Sequence, residues 1–287
     1  MTVQPSNASG PEAPRIALMF PGQGSHGADM DDPYRGTDLF ERGLELLGED
    51  PFAKLDEGTR WQQPAVFLCS VCAWDAAGRP AAGAGLGHSL GEYAALVAAK
   101  ALEFDQALGL VDRRAEAMAR AAADRPGGMV ALLGGRSEAV EELADELGLT
   151  VANDNAPGQV VLSGDRDRVE QAAERAREAG AKARILDVAG SFHSPAMEPA
   201  LRALREALSK VDFRSPQFPV FSCGTAAPFS DPAEELATNM VRPVRWRQVV
   251  EAALAGGIER FRELGPGRVL TGLVRRIEAD AIVEARA

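Results

Sequence analysis

GAGLGHSLGEYAALVAAKA, residues 83–101, reads as a small-residue strand that passes through a tight turn into an apolar helix. Inside it, Gly87-His88-Ser89-Leu90-Gly91 has the spacing G-x-S-x-G. A preceding strand and a following helix are the context that a nucleophile elbow requires. The glycines let the chain turn sharply without Cβ clashes and hold the serine hydroxyl out at the helix N-terminus. Free backbone N–H groups there can stabilise an oxyanion. The pentapeptide alone also describes a Gly-rich turn with a capping serine, and its place between strand and helix is what favours a nucleophile.

Outward from this unit the pattern alternates. IALMF, residues 16–20, is an apolar run ended by Pro-Gly, as a buried parallel strand ends. Helical patterns follow at residues 37–48 and 64–77, and again at 104–123, where Ala107, Leu108, Leu110, Val111 and Met118 recur at near-helical spacing around Arg113 and Arg114. Beyond the breaker Arg125-Pro126-Gly127-Gly128 come MVALLGG, SEAVEELADELG, QVVLSG, DRDRVEQAAERAREAG and ARILDVA. That βαββαβ-like rhythm predicts a ferredoxin-like insert, with Ser137 and Asp165 as helix N-caps and Gly148 and Gly180 as C-caps. A helix over 195–208, the strand FPVFSC, a helix over 246–255, the strand RFRELG and a last amphipathic helix complete the chain. The fold class is therefore α/β: a hydrolase-like core with a mostly parallel sheet plus a small ferredoxin-like subdomain. Residues 16–125 and 188–287 make the large subdomain, 126–187 the small one, and 1–15 a disordered leader.

Composition narrows the function. The 287 residues carry 31 basic and 42 acidic side chains, a net charge of −11, with 46% hydrophobic and 25% charged residues. These shares exclude wholesale disorder and a small disulfide-stapled scaffold. The acidic balance repels phosphate backbones and anionic lipid, so neither nucleic acid nor a membrane is an expected partner. Any anionic ligand must be met by particular arginines or lysines. Cys69 and Cys72 form a C-x-x-C pair inside an apolar helical run, with no second Cys or His pair to complete a metal site. They read as reduced packing cysteines of a cytoplasmic protein. No apolar run is long enough to span a bilayer.

A serine at its ordinary pKa needs a base, most often histidine. The chain has three histidines. His26 closes a Gly-rich loop, and His88 adjoins the serine on a turn that should aim its side chain away from the hydroxyl. His193, in AGSFHSPAMEP, follows the insert on a turn that opens a helix, so a chain returning to its main sheet could bring it to Ser89. Elimination favours His193. The loop Pro21-Gly22-Gln23-Gly24-Ser25 follows the first strand, and ligands of open α/β sheets bind at the carboxyl ends of parallel strands. It could give one N–H to an oxyanion and Leu90 another. Without a Walker lysine or dinucleotide spacing, GQGS is a poor phosphate loop.

FPGQGSH, QPAVFL, GHSLGEYAAL, GGMVALLG, NDNAPGQVVLSG, SFHSPAMEP, RPVRW and ELGPGRVLTGL occur in this order. Together they closely resemble malonyl-CoA:acyl carrier protein transacylases and the related acyltransferase domains of polyketide synthases. The resemblance implies that Ser89 is the acylated serine and His193 the general base, with the backbone amides of Gln23 and Leu90 as the oxyanion hole. It implies that Arg114 pairs with the free carboxylate of a malonyl group, and that a backbone carbonyl, best matched by Asn239, replaces the triad's aspartate. Phe192 resembles a malonyl-selecting pattern, and His88 and Asn155 fall with the substrate-binding residues. Two segments, after GQGSH and after Trp74, are shorter than the family pattern, and Arg242 stands where many members have Asn.

The implied reaction moves malonyl from malonyl-CoA through an acyl-serine to the phosphopantetheine thiol of an acyl carrier protein, with no metal or redox cofactor, by a protein expected to be monomeric. A trans-acting acyltransferase of polyketide synthesis, a hydrolase of carrier-bound thioesters and a docking module with a disused site are the alternatives. Both implied partners are anionic, which directs attention to two arginine clusters: Arg242, Arg245 and Arg247, and Arg268, Arg275 and Arg276.

Overall fold

The computed structural model describes residues 14–286. The expected leader lies, except for its last two residues, outside the described residues. A five-stranded sheet contains β1 (Ile16–Phe20), β2 (Ala84–Gly87), β7 (Val220–Phe221), β8 (Arg260–Leu264) and β9 (Ile282–Arg286), in the order β7–β2–β1–β8–β9. Every pairing in it is parallel. β1 is flanked on both sides and covered on both faces, and Ala17 to Phe20 are all fully buried, which is why IALMF is apolar without alternation. Phe20 pairs in register with Gly87. The loop after β1 and the turn after β2 therefore leave the same edge of the sheet, side by side.

Helices cover this sheet: α1 (Asp38–Leu47), α2 (Thr59–Ala76), α3 (Gly91–Ala98), α4 (Phe104–Asp124), α7 (Glu198–Leu208), α8 (Pro232–Thr238), α9 (Trp246–Ala255) and α10 (Val269–Ile277). One face packs α2, α3, α4 and α7 into the largest apolar cluster, and the other packs α9 and α10. α2 starts earlier than the sequence predicts and holds an unbroken buried run from Gln63 to Trp74. Cys69 and Cys72 lie within that run as free thiols, and burial pushes the Cys72 thiol up to about 12. The expected strand FPVFSC shrinks to the two residues of β7. Pro219 has no N–H to add to a ladder, and Ser222 turns the chain by exchanging bonds with Ala226 and Ala227. No described helix is long and apolar enough to cross a membrane.

The second sheet is built from β3 (Gly128–Gly134), β4 (Thr150–Ala156), β5 (Gln159–Gly164) and β6 (Ala181–Ile185), with α5 (Ser137–Leu147) and α6 (Arg166–Arg175). Its order is β4–β5–β3–β6 and all its pairings are antiparallel. Numbered within the unit, that is 2-3-1-4, the ferredoxin-like arrangement of a βαββαβ unit. Asp165 caps α6 by accepting from Asp167 N at 3.1 Å, and Gly148 ends α5 in the left-handed region. Ser137 is not a cap: it sits one residue inside α5, behind Arg136. α6 stops at Arg175 and passes into successive three-residue turns, and Gly180 ends these in the left-handed region, with Gly180 N on Arg177 O and Ala181 N on Ala176 O, the same closure that Gly148 gives α5.

The two sheets are tied at β4. Val244 N donates to Ala152 O and Asp154 N to Val244 O, at 2.8 and 2.9 Å. The Asp154 carboxylate accepts from both Arg247 and Gln248.

Candidate active site

Ser89 sits at φ +53 between β2 and α3, a left-handed conformation that an L-residue holds only when its surroundings impose it. Here the imposition is close packing. A Cβ on Gly91 would lie 2.0 Å from Phe20 O, and one on Gly87 would lie 2.1 Å from Glu92 N. Neither position accepts any other residue, so G-x-S-x-G is a requirement of fit between the elbow and β1. His88 N donates to Phe20 O at 3.0 Å and locks the same contact.

The elbow presents Ser89 Oγ to His193 Nε2 at 2.9 Å. His193 is buried, and its Nδ1 faces two main-chain carbonyls, Asn239 O at 2.9 Å and Arg242 O at 3.1 Å. Carbonyls only accept, so Nδ1 carries the proton and Nε2 is bare. The serine hydroxyl then donates to Nε2, the geometry of a general base on its nucleophile. Burial, and next the charge of Arg114, disfavour the imidazolium and push His193 down to about 3.

Arg114 reaches the same oxygen. Its guanidinium donates to Ser89 Oγ at 2.8 Å and to Gln63 Oε1, and lies 6.0 Å from the centroid of the Tyr93 ring. It is 4% exposed, whereas Arg113 beside it is exposed. Burial lowers its pKa from the ordinary arginine value. Arg114 falls on the stripe Ala107, Val111, Ala115, Met118 and Ala122 that α4 turns inward. That periodicity separates it from Arg113 without any appeal to a family.

The Gln23 loop abuts the elbow: a Cβ on Gly22 would lie 2.5 Å from His88 O. The Gln23 side chain is held away by α2, donating to Thr59 Oγ1 at 2.7 Å and Gln62 Oε1 at 3.0 Å. The backbone N–H groups of Gln23 and Leu90 have no acceptor among the described residues. Two unspent donors therefore flank Ser89. His88 turns away from the hydroxyl, as its place on the turn predicts, and its Nε2–H donates to Asn155 Oδ1 at 2.8 Å with Trp246 beside the ring. Asn155 comes from β4, so this bond crosses between the two sheets. Phe192 is buried against Gly190, and no hydrogen bond or ring contact joins it to Ser89. His26 is not brought to Ser89; it is half-buried near Asp187.

Three participants escape the sequence reading. Gln63 anchors Arg114, and its signal is a polar residue at the head of an apolar helix. Arg242 contributes its carbonyl, for which side-chain type gives no signal. Glu92 accepts from Cys223 N at 2.7 Å and from Asn239 Nδ2 at 2.9 Å, and Cys223 Sγ–H donates to Gly87 O at 2.8 Å. The signal for Glu92 is a single charge in the otherwise apolar α3.

The sequence family described as "Acyl transferase domain" matches residues 44–281. A malonyl CoA-acyl carrier protein transacylase of Bacillus subtilis (strain 168) is 36% identical over 92% of this chain and 90% of its own length. The polyketide biosynthesis protein ThaF of Burkholderia thailandensis is 37% identical over 91% of this chain, a match that takes up 24% of ThaF. Among solved structures, an acyl carrier protein S-malonyltransferase from Vibrio cholerae superposes with a TM-score of 0.87 at 34% identity, covering 95% of this chain and 96% of that one. A malonyl-transacylase solved in complex with its type II polyketide synthase acyl-carrier protein gives 0.88 at 33% identity, over 94% and 95% of the two chains.

Proposed function

The chain belongs to the acyl transferase domain family, and on that premise we propose that it moves a malonyl group from malonyl-CoA to the phosphopantetheine thiol of an acyl carrier protein through an ester on Ser89. The observation that carries this reading is the convergence on one hydroxyl of a bare imidazole nitrogen at 2.9 Å and a buried guanidinium at 2.8 Å. A base beside a serine serves any acyl transfer. A desolvated guanidinium beside the same serine suits an acyl group that carries its own carboxylate.

Malonyl-CoA enters with its free carboxylate on Arg114, which draws the guanidinium off Ser89 Oγ. His193 Nε2 takes the hydroxyl proton as Oγ attacks the thioester carbon. The N–H groups of Gln23 and Leu90 receive the developing oxyanion, each donor worth about 10² to 10³ in rate. The tetrahedral intermediate collapses, His193 returns the proton to the departing CoA sulfur, and a malonyl ester remains on Ser89. The carrier's thiol then attacks that ester in the mirror sequence. All of these groups come from one chain, so a single copy suffices. The free thiols of Cys69, Cys72 and Cys223 fit a reducing, cytoplasmic setting.

Intact-mass measurement after mixing with malonyl-CoA tests this directly. The expected result is one malonyl adduct, absent from Ser89→Ala, that leaves when phosphopantetheinylated carrier protein is added. Malonate release at the same rate without carrier makes the protein a hydrolase, and no adduct at all makes it a docking module.

A further inference from the structure

Glu92 lies three residues after Ser89, in the first turn of α3, and is 2% exposed. An acid there complements the helix N-terminus, but an exposed acid would do that as well, and burying a carboxyl is costly unless partners compensate. Its partners come from two distant segments. Oε1 accepts from Cys223 N in the turn after β7 and from Asn239 Nδ2 at the end of α8, and Oε2 accepts from the same Nδ2 at 3.2 Å. Burial dominates and pushes the Glu92 carboxyl up to about 8, while Arg114 from α4 favours the carboxylate and Glu235 from α8 opposes it; the Tyr93 phenol and the Cys223 thiol also face it.

Asn239 is held through its backbone N and its Nδ2, whereas its buried Oδ1 accepts no hydrogen bond among the described residues. Its N donates to Glu235 O at 2.8 Å, and its Nδ2 also donates to Ser222 Oγ at 3.0 Å. A Cβ on Gly224 would lie 2.1 Å from its Oδ1. Its main-chain carbonyl is the nearer of the two that receive His193 Nδ1–H. One residue therefore connects Glu92 through its side chain to His193 through its backbone. From these contacts we infer that Glu92 is a positioning residue: its carboxyl oxygen pins the Asn239 amide, and the pinned Asn239 carbonyl fixes the tautomer and angle of the His193 imidazole against Ser89.

This inference rests on the acyl-serine reading above, and its test separates the two. Two variants divide reach from the carboxyl group itself. Glu92→Gln keeps an oxygen where Oε1 accepts both donors but is no longer a carboxyl; Glu92→Asp keeps the carboxyl but withdraws its oxygens by one methylene. Single-turnover formation of the malonyl-Ser89 adduct is read by rapid quench and mass across malonyl-CoA concentrations. In Glu92→Asp the limiting rate should fall about 10- to 100-fold with the half-saturating concentration within about twofold, as expected when the partner orienting a working imidazole is loosened. Glu92→Gln should stay within about threefold of the wild type in both quantities. A wild-type rate in Glu92→Asp, an equal loss in Glu92→Gln, or a loss confined to half-saturation overturns the role of Glu92. If Glu92→Asp does not fold, Glu92→Gln alone decides by keeping or losing the rate. A wild-type protein that forms no adduct overturns the acyl-serine reading instead.

Discussion

Ser89 Oγ receives a hydrogen bond from a cation and gives one to a base, and the two neighbours act on each other. Arg114 opposes protonation of His193, adding to burial. The sign of the effect favours catalysis. An ordinary imidazole becomes protonated, and useless as a base, as pH falls through about 6.5, whereas His193, pushed down to about 3, keeps Nε2 bare well below that pH. The wild-type rate of Ser89 acylation should stay level from pH 8 to about 5. Arg114→Ala removes the repelling charge, so the acid limb of the pH profile should move up toward the ordinary imidazole value. The same variant should lose malonyl transfer by at least about 30-fold, the low end of the ~2–5 kcal/mol that follows truncating one partner of a desolvated charge pair, while acetyl transfer is retained or gains. Undiminished malonyl transfer in Arg114→Ala removes the guanidinium from the carboxylate's path.

At the scale of elements, the strand, turn and helix of residues 83–101 concentrate what the sequence could show. Gly87, Ser89 and Gly91 were legible because a backbone requirement and a chemical one fall on the same five residues. The left-handed turn predicts a stability effect separable from the hydroxyl. Ser89→Ala and Ser89→Gly both remove Oγ, but alanine keeps the cost of a Cβ at φ +53, about 1–2 kcal/mol, part of which glycine's larger unfolded-state entropy offsets. Ser89→Gly should therefore melt about 1–3 °C above Ser89→Ala in calorimetry; equal melting temperatures mean that the elbow relaxes without strain. Where the sequence was silent, the cause was also physical. β4 is built on Asn153, Asp154 and Asn155, poor strand formers, and they are held by pairing with β5 and with Val244. The carbonyls of Asn239 and Arg242 belong to every residue type. Glu92 has partners at 223 and 239, too distant in the chain for any spacing rule.

Over the whole molecule, a charge of −11 sets the protein against the anionic donor and carrier of the proposed reaction, unless local charge reverses the field near Ser89. The arginines singled out in the sequence divide. Arg247 is committed to Asp154 and Glu251, Arg276 donates to Gln159, and Arg245 donates to Thr225 O. Arg242, Arg268 and Arg275 are exposed and have no ion pair among the described residues. The first two lie beside the site: the Arg242 carbonyl accepts from His193, and the loop before Arg268 packs its Gly267 within reach of Ser25 in the Gln23 loop. The sign of the salt dependence tells which field an arriving anion meets. Net repulsion is relieved by salt, so encounter quickens, whereas local attraction is screened and encounter slows. Raising ionic strength from about 0.01 to 0.1 M shortens the Debye length from about 30 to 10 Å and should lower kcat/KM for malonyl-CoA. In the double variant Arg242→Glu, Arg268→Glu the slope should vanish or invert. A wild-type rate that rises with salt shows instead that the bulk charge governs approach, and that these two arginines do not steer the substrate.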